Sequence, residues 1–195
     1  GPLVLRELGA QVDAIGVDIQ LLDDNGKPVP MDGVSIGEVC ARSNVVLKGY
    51  WEQPEETAKA IYDGYFHSGD LAVWDEHANI HIVDRTKDML LCSGFNVYPR
   101  VLEEAIYQHP AVREVAVIGI PDAYRGQSPK AFVALKDGAA PLTLAQLQAF
   151  LQDKLGKHEM VQALEIRADL PKTAVGKLSK KDLVDEEQRR QATRA

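Results

Sequence analysis

Three stretches of this sequence hold residue types that could do chemistry. In the first, His67-Ser68-Gly69-Asp70-Leu71, a single carboxylate directly follows a glycine. An acid so placed can hold a pair of vicinal hydroxyls, as a ribose offers, or simply close a turn. The second runs from Val83 to Pro99. Asp84, Arg85, Lys87 and Asp88 follow the apolar-rich Ile80-His81-Ile82-Val83, as in a solvated joint leaving a strand. Further along, Ser93-Gly94 offers a main chain that a ligand can approach, because glycine takes backbone angles closed to other residues. On composition alone the same run also reads as a charged surface turn and a hairpin. The third stretch is Leu170 to Lys181, where Lys177 follows a glycine in a short irregular segment. It is not a P-loop, since no glycine stands at the required distance ahead of Gly176-Lys177. Its ammonium would matter if the segment closed over a phosphate: unit charges roughly 4 Å apart attract by about 1 kcal/mol in water and about 4 kcal/mol at an effective dielectric near 20.

The elements that must position these residues change character at Val83–Pro99, which reads as a hinge. Ahead of it lie short strands and turns. Gly16 to Leu21 alternates and enters the turn Asp23-Asp24-Asn25-Gly26, and Ile36 to Ala41 forms a second strand. Pro54 with Glu55 and Glu56 starts a helix that Asp63-Gly64 ends. Ala72–Trp74 and Asn79–Val83 then make a hairpin. Beyond the hinge, Pro99 opens a helix whose stripe is Val101, Leu102, Ala105 and Ile106. Val112–Ile120 reads as a buried strand, broken by Pro121–Gly126, and Pro129–Lys136 as its successor. Thr143 caps a helix with Leu144, Leu147, Phe150 and Leu151 on its apolar face. Ser179–Arg190 reads as a polar terminal helix. Residues 1–15 show no clear period. The fold class is α+β.

Composition narrows the function classes. The 195 residues are 45% hydrophobic and 26% charged, which is ordinary for a globular chain. A net charge of −7 argues against nucleic acid or an anionic membrane as the main partner. Cys40 and Cys92 cannot build a disulfide framework, and neither stands in a metal-ligand spacing, so no metal site is read here. Reduced thiols fit a cytoplasmic protein. No run reaches the about 18 apolar residues of a membrane span.

Taken together, Gly37-Glu38-Val39-Cys40, Gly49-Tyr50-Trp51, His67-Ser68-Gly69-Asp70-Leu71, Asp84-Arg85-Thr86-Lys87-Asp88, Ser93-Gly94-Phe95-Asn96-Val97-Tyr98-Pro99 and Leu170-Pro171-Lys172-Thr173-Ala174-Val175-Gly176-Lys177 resemble the C-terminal part of the adenylate-forming superfamily. The Ser-Gly-Phe-Asn-Val-Tyr-Pro run is most similar to bacterial medium- and long-chain fatty-acid–CoA ligases. The resemblance implies a β-rich remnant of the large AMP-binding domain over residues 1–86 and a small α+β lid over 87–195. It implies an acid–thiol ligase that uses ATP and CoA through an acyl-AMP intermediate, with this fragment inactive by itself. Asp70 then matches the aspartate on the ribose hydroxyls, Arg85 the arginine on the same nucleotide, and Lys87 the hinge. Lys177 matches the lysine that meets the carboxylate and α-phosphate, while Ser93, Gly94 and Arg125 fall on the CoA side.

Two departures accompany the resemblance. His158-Glu159-Met160-Val161 stands where the family carries a Tyr-Lys-x-Pro-like segment. The phosphate loop, the glutamate that holds Mg2+ and the acyl pocket all belong upstream, so the implied partners include a fatty acid, CoA and an N-terminal domain of the same protein. An adenylating enzyme that serves a carrier protein, and a non-catalytic module binding CoA or a protein, are the alternatives.

Overall fold

Alternation of inward and outward side chains, the mark of a strand, organises both compact units of this chain. One unit ends at Lys87 and the other begins at Asp88. The computed structural model describes residues 16–193, so the aperiodic positions 1–15 lie outside the described residues.

In the first unit, Asp18–Leu22 (β1) pairs antiparallel with Ile36–Arg42 (β2). The Asp23 carboxylate accepts the N–H groups of Asn25 and Lys27 and closes the intervening turn. Gly37 is a glycine because a Cβ there would meet the Leu21 carbonyl carbon at 2.9 Å. Pro54–Ala60 (α1) has Pro at its start and Glu55 and Glu56 in its first turn, as the helix dipole favours. Asp63-Gly64 does not simply end this helix: Ile61–Tyr62 (β3) turns back there onto Tyr65–Trp74 (β4). Strand β4 is central, with β2 on one edge and both β3 and Ile80–Arg85 (β5) on the other. Its length overturns the reading of Asp70 as a turn residue and of the hairpin as beginning at Ala72. Among the described residues, the buried apolar side chains of this unit are Leu21, Leu22, Cys40 and Ala72.

The second unit is far better filled. Leu90–Cys92 (β6) and Phe95–Val97 (β7) form a tight hairpin, and Pro99–Tyr107 (α2) follows, carrying the whole expected stripe. Val112–Asp122 (β8) and Gly126–Leu135 (β9) pair antiparallel, then Leu144–Leu151 (α3), Ala163–Arg167 (β10) and Lys180–Ala192 (α4) complete the chain. Strand β10 escaped the sequence reading; it runs parallel to β9. Pro121 does not break β8, because β8 is an edge strand. Pro129 falls on β9 between the stretches that pair with β6 and with β10, where that edge has no strand partner.

Successive residues of β8 and β9 feed two cores. Val115, Val117, Ala131 and Val133 join Leu102, Ile106, Leu147 and Leu151 beneath α2 and α3. Ala116, Ile118, Phe132 and Ala134 join Leu170 and Leu183 beneath α4. The sheet is therefore sandwiched between helices. A full capping box at Thr143, with Gln146 answering it, starts α3.

Helix α4 buries only Leu183 and is held mainly by charge. Lys130 bonds Glu165 at 2.8 Å and Glu187 at 2.6 Å, Arg167 bonds Glu186 at 2.8 Å, and Arg190 reaches both Glu165 and Glu186. Burial alone would raise the Glu165 carboxyl, but hydrogen bonds from Arg190, Lys130 and Arg167 outweigh it and hold the group at about 2, against an ordinary 4.5. The folded carboxyl thus binds protons less readily than the unfolded one. Its stabilisation is complete above pH 4.5 and is lost as pH falls towards 2. Thermal midpoints measured across that range should fall more steeply for the native chain than for Glu165→Gln; parallel acid limbs would refute the role given to Glu165.

Candidate functional site

The strand pairing itself brings Asp70 and Arg85 together. They are register partners across β4 and β5, and Arg85 Nε donates to Asp70 Oδ1 at 2.9 Å. Asp70 keeps 36% of its side chain exposed and Arg85 53%, so both can take a ligand from solvent. A register shift beside Leu71 and the left-handed backbone of Gly69 (φ 73°) set the carboxylate at this angle. With one oxygen engaged by Arg85, the carboxylate can still accept two hydroxyl hydrogens from a vicinal diol. Asp84 departs from the expected solvated joint: it is buried, at 3% exposure, on β5. Lys87 lies exposed in the short 3₁₀ turn Thr86–Asp88, where the two units part.

In the second unit, Ser93 and Gly94 form the turn of the β6–β7 hairpin, both left-handed at φ 54° and 82°. Serine has a side chain to accommodate there, which is a strained choice. The turn is tied to Arg125, whose carbonyl accepts the Ser93 N–H at 2.8 Å. All three residues read as facing CoA are thus adjacent. The Arg125 guanidinium donates to the His158 carbonyl at 2.8 Å, so the segment that departs from the family pattern is the one that Arg125 holds. Around this turn Leu91, Phe95 and Tyr124 stand exposed.

Lys177 occupies a regular hairpin, where the sequence reading had an irregular segment. Lys172 and Leu178 form a bridge, Thr173 N–H donates to the Lys177 carbonyl at 2.7 Å, and Gly176 closes the turn at φ 79°. The Lys177 side chain is exposed and its ammonium has no hydrogen-bond partner among the described residues. A cation carried on this hairpin and unbonded among the described residues can meet an anion.

Residues 101–177 match the family model of the AMP-binding enzyme C-terminal domain. The chain is 46% identical over 151 residues to a long-chain-fatty-acid–CoA ligase of Bacillus subtilis and 41% identical over 169 residues to one of Escherichia coli O6:H1. These alignments cover 77% and 87% of this chain but only 27% and 29% of the relatives, so the chain spans under a third of their length. Among solved structures, ATP-bound MatB from Rhodopseudomonas palustris matches at TM-score 0.80 and 36% identity, over 88% of this chain and 34% of that one. The amide bond synthetase McbA from Marinactinospora thermotolerans matches at 0.78 and 34%, over 87% and 34%. The mixed α+β architecture agrees with these neighbours. No helix among the described residues is long and apolar enough to cross a membrane.

Two groups of residues were given no role by the sequence reading. Glu38 lies beneath the Gly69 bend: Oε1 accepts the Gly69 N–H and Oε2 meets His67 Nδ1, both at 2.8 Å. Cys40 Sγ completes the cluster 3.3 Å from the same nitrogen. Burial and the Glu38 charge push the Cys40 thiol up to about 12, so it stays protonated. The three donors lie within 4.8 Å of one another, yet bond one another and the backbone, and this network sets the bend that carries Asp70. Its one advance signal is the pairing of Cys40 with His67 across β2 and β4, which needs the register. The second group comprises Glu103 and Glu114, which bond Lys180 and Lys172 at the two roots of the Lys177 hairpin.

Proposed function

We propose that this chain is the C-terminal part of an ATP-dependent fatty-acid–CoA ligase: residues 1–86 a remnant of the large AMP-binding domain, and residues 87–195 its lid. The observation that carries the reading is the 46% identity to the Bacillus ligase, which extends over both units. The thin core of the first unit supports it further. In the turns that join its elements, Val34, Val45 and Trp51 are 76%, 65% and 86% exposed, as expected of a surface that packs against chain lying elsewhere.

In the proposed mechanism a fatty-acid carboxylate attacks the α-phosphate of ATP, forming acyl-AMP and releasing pyrophosphate. The CoA thiol then attacks the acyl carbonyl and AMP leaves. Asp70 accepts hydrogen bonds from the ribose hydroxyls, and Arg85 both fixes that carboxylate and faces the nucleotide. Lys177 offsets the charge that develops at the α-phosphate. Lys87 is the hinge on which the lid turns between the steps, after which Ser93 and Gly94 border the pantetheine path with Arg125 beside it. Mg2+ is held by residues upstream, and this chain alone is inactive in a cytoplasmic enzyme.

The acceptor admits a second reading, delivery to a carrier protein, because McbA, which shares this fold, is named an amide bond synthetase and so ties the fold to more than one acceptor. The test uses the full-length gene product with ATP, a fatty acid and either CoA or a carrier protein. One acyl-CoA and one AMP per turnover is the expected result. Carrier acylation with CoA untouched would move the acceptor, and no AMP from any acid would overturn the ligase reading.

A further inference from the structure

The hairpin that carries Lys177 is gripped at both roots by carboxylates of other elements. At its start, Lys172 Nζ lies 2.6 Å from Glu114 Oε1 on β8; just past its end, Lys180 Nζ lies 2.9 Å from Glu103 Oε1 on α2. We propose that Glu103 and Glu114 are positioning residues that brace this ribbon and so fix where Lys177 stands. The inference rests on the reading of Lys177 as the adenylation lysine.

Neither pair resembles an ordinary surface contact. The side chains of Glu103, Glu114 and Lys180 are 17%, 22% and 24% exposed, which shields the attraction from solvent; Lys172 is 43% exposed. Glu103 is itself anchored, and Glu114 is partly buried. Glu103 Oε1 accepts the Val117 N–H at 2.7 Å, locking α2 to β8. Glu114 sits where the β8–β9 register shifts, and its Oε2 is buried with no hydrogen-bond partner. A half-satisfied buried carboxylate is costly. Lys172 offsets that cost.

The ribbon has little else to hold it. Residues 172–177 are exposed, and the apolar anchors are Leu170 and Leu178 at its two roots, against the core that holds Phe132. Beside Leu178 lies a groove of about 430 Å³ that Glu103, Glu114 and Arg113 also line, so charge stands where packing would otherwise fix the angle. A ribbon pinned only at Leu170 and Leu178 could pivot about them. Two ion pairs on opposite roots stop that motion, and they leave the Lys177 ammonium free.

The test begins with amide exchange in this chain. Glu103→Gln keeps the acceptor for Val117 and loses the charge, and Glu114→Gln does the same for Lys172. Each should speed exchange at the hairpin amides of Thr173 and Gly176 about fivefold, the factor lost with a single favourable ion pair, while Val133 on β9 stays protected. The reversed pair Glu114→Lys with Lys172→Glu should restore the native rate. Unchanged hairpin exchange in both glutamine variants, or a reversed pair no better than Glu114→Gln, overturns the brace. In the full-length enzyme the same glutamine variants should lower kcat for acyl-AMP formation, leave the KM for ATP in place and spare thioester formation from supplied acyl-AMP. If Lys177→Ala leaves adenylation intact, the ligase role of Lys177 fails while the exchange result still decides the brace.

Discussion

Replacing Lys177 by alanine in the full-length enzyme should cut acyl-AMP formation by about 10²- to 10³-fold, the range seen when one preorganised donor to developing charge is removed. Thioester formation from supplied acyl-AMP should stay near its native rate. The asymmetry follows from chemistry: negative charge accumulates on the α-phosphate as pyrophosphate departs, whereas attack by the CoA thiol builds charge at a carbonyl. Stability should hardly move, since the side chain is exposed and its ammonium bonds no described residue. Single-turnover measurement of each half-reaction decides the matter. Equal losses in both steps would sink the assignment.

Phe132→Ala should destabilise the second unit by about 3–5 kcal/mol, the usual cost of removing a buried aromatic ring. Phe132 is fully buried on β9 at the centre of the core beneath α4. Its ring also lies 4.6 Å from Lys130 Nζ and 4.7 Å from the Arg167 guanidinium carbon, so two cations of the network that holds α4 lose their support together. A loss of that size is a large share of the 5–15 kcal/mol that holds a typical domain. Denaturant midpoints read by exchange at β8 and β9 amides would measure it, with Phe132→Leu as a milder control. A change under about 1 kcal/mol would show that the core collapses around the gap.

What the sequence disclosed was local. Periodicity located α3 with its Thr143 cap, the start of α2 at Pro99 and the buried run of β8, because each depends on neighbours a few residues apart. It failed where partners are distant. Asp70 read as a turn residue because Gly69 looks like punctuation, yet β2 and β5 flank it and extend the strand through the bend. Asp84, in a run of charges, read as solvated, although it is buried on β5. Strand β10 has a weak pattern of its own and exists through its parallel pairing with β9. The candidate site residues were read from their motifs, while the groups that hold them were not. Glu38 reaches Gly69 across 31 positions and Arg125 reaches His158 across 33, separations that no spacing rule covers.

The division of the chain after Lys87 also governs how its unfolding can be watched. Both tryptophans, Trp51 and Trp74, belong to the first unit, the latter closing β4. Intrinsic indole fluorescence therefore reports on the first unit and is blind to the unit that carries Lys177. A single emission trace would miss the destabilisation predicted for Phe132→Ala, and an indole placed on the outer face of α3 would give the second unit a signal of its own.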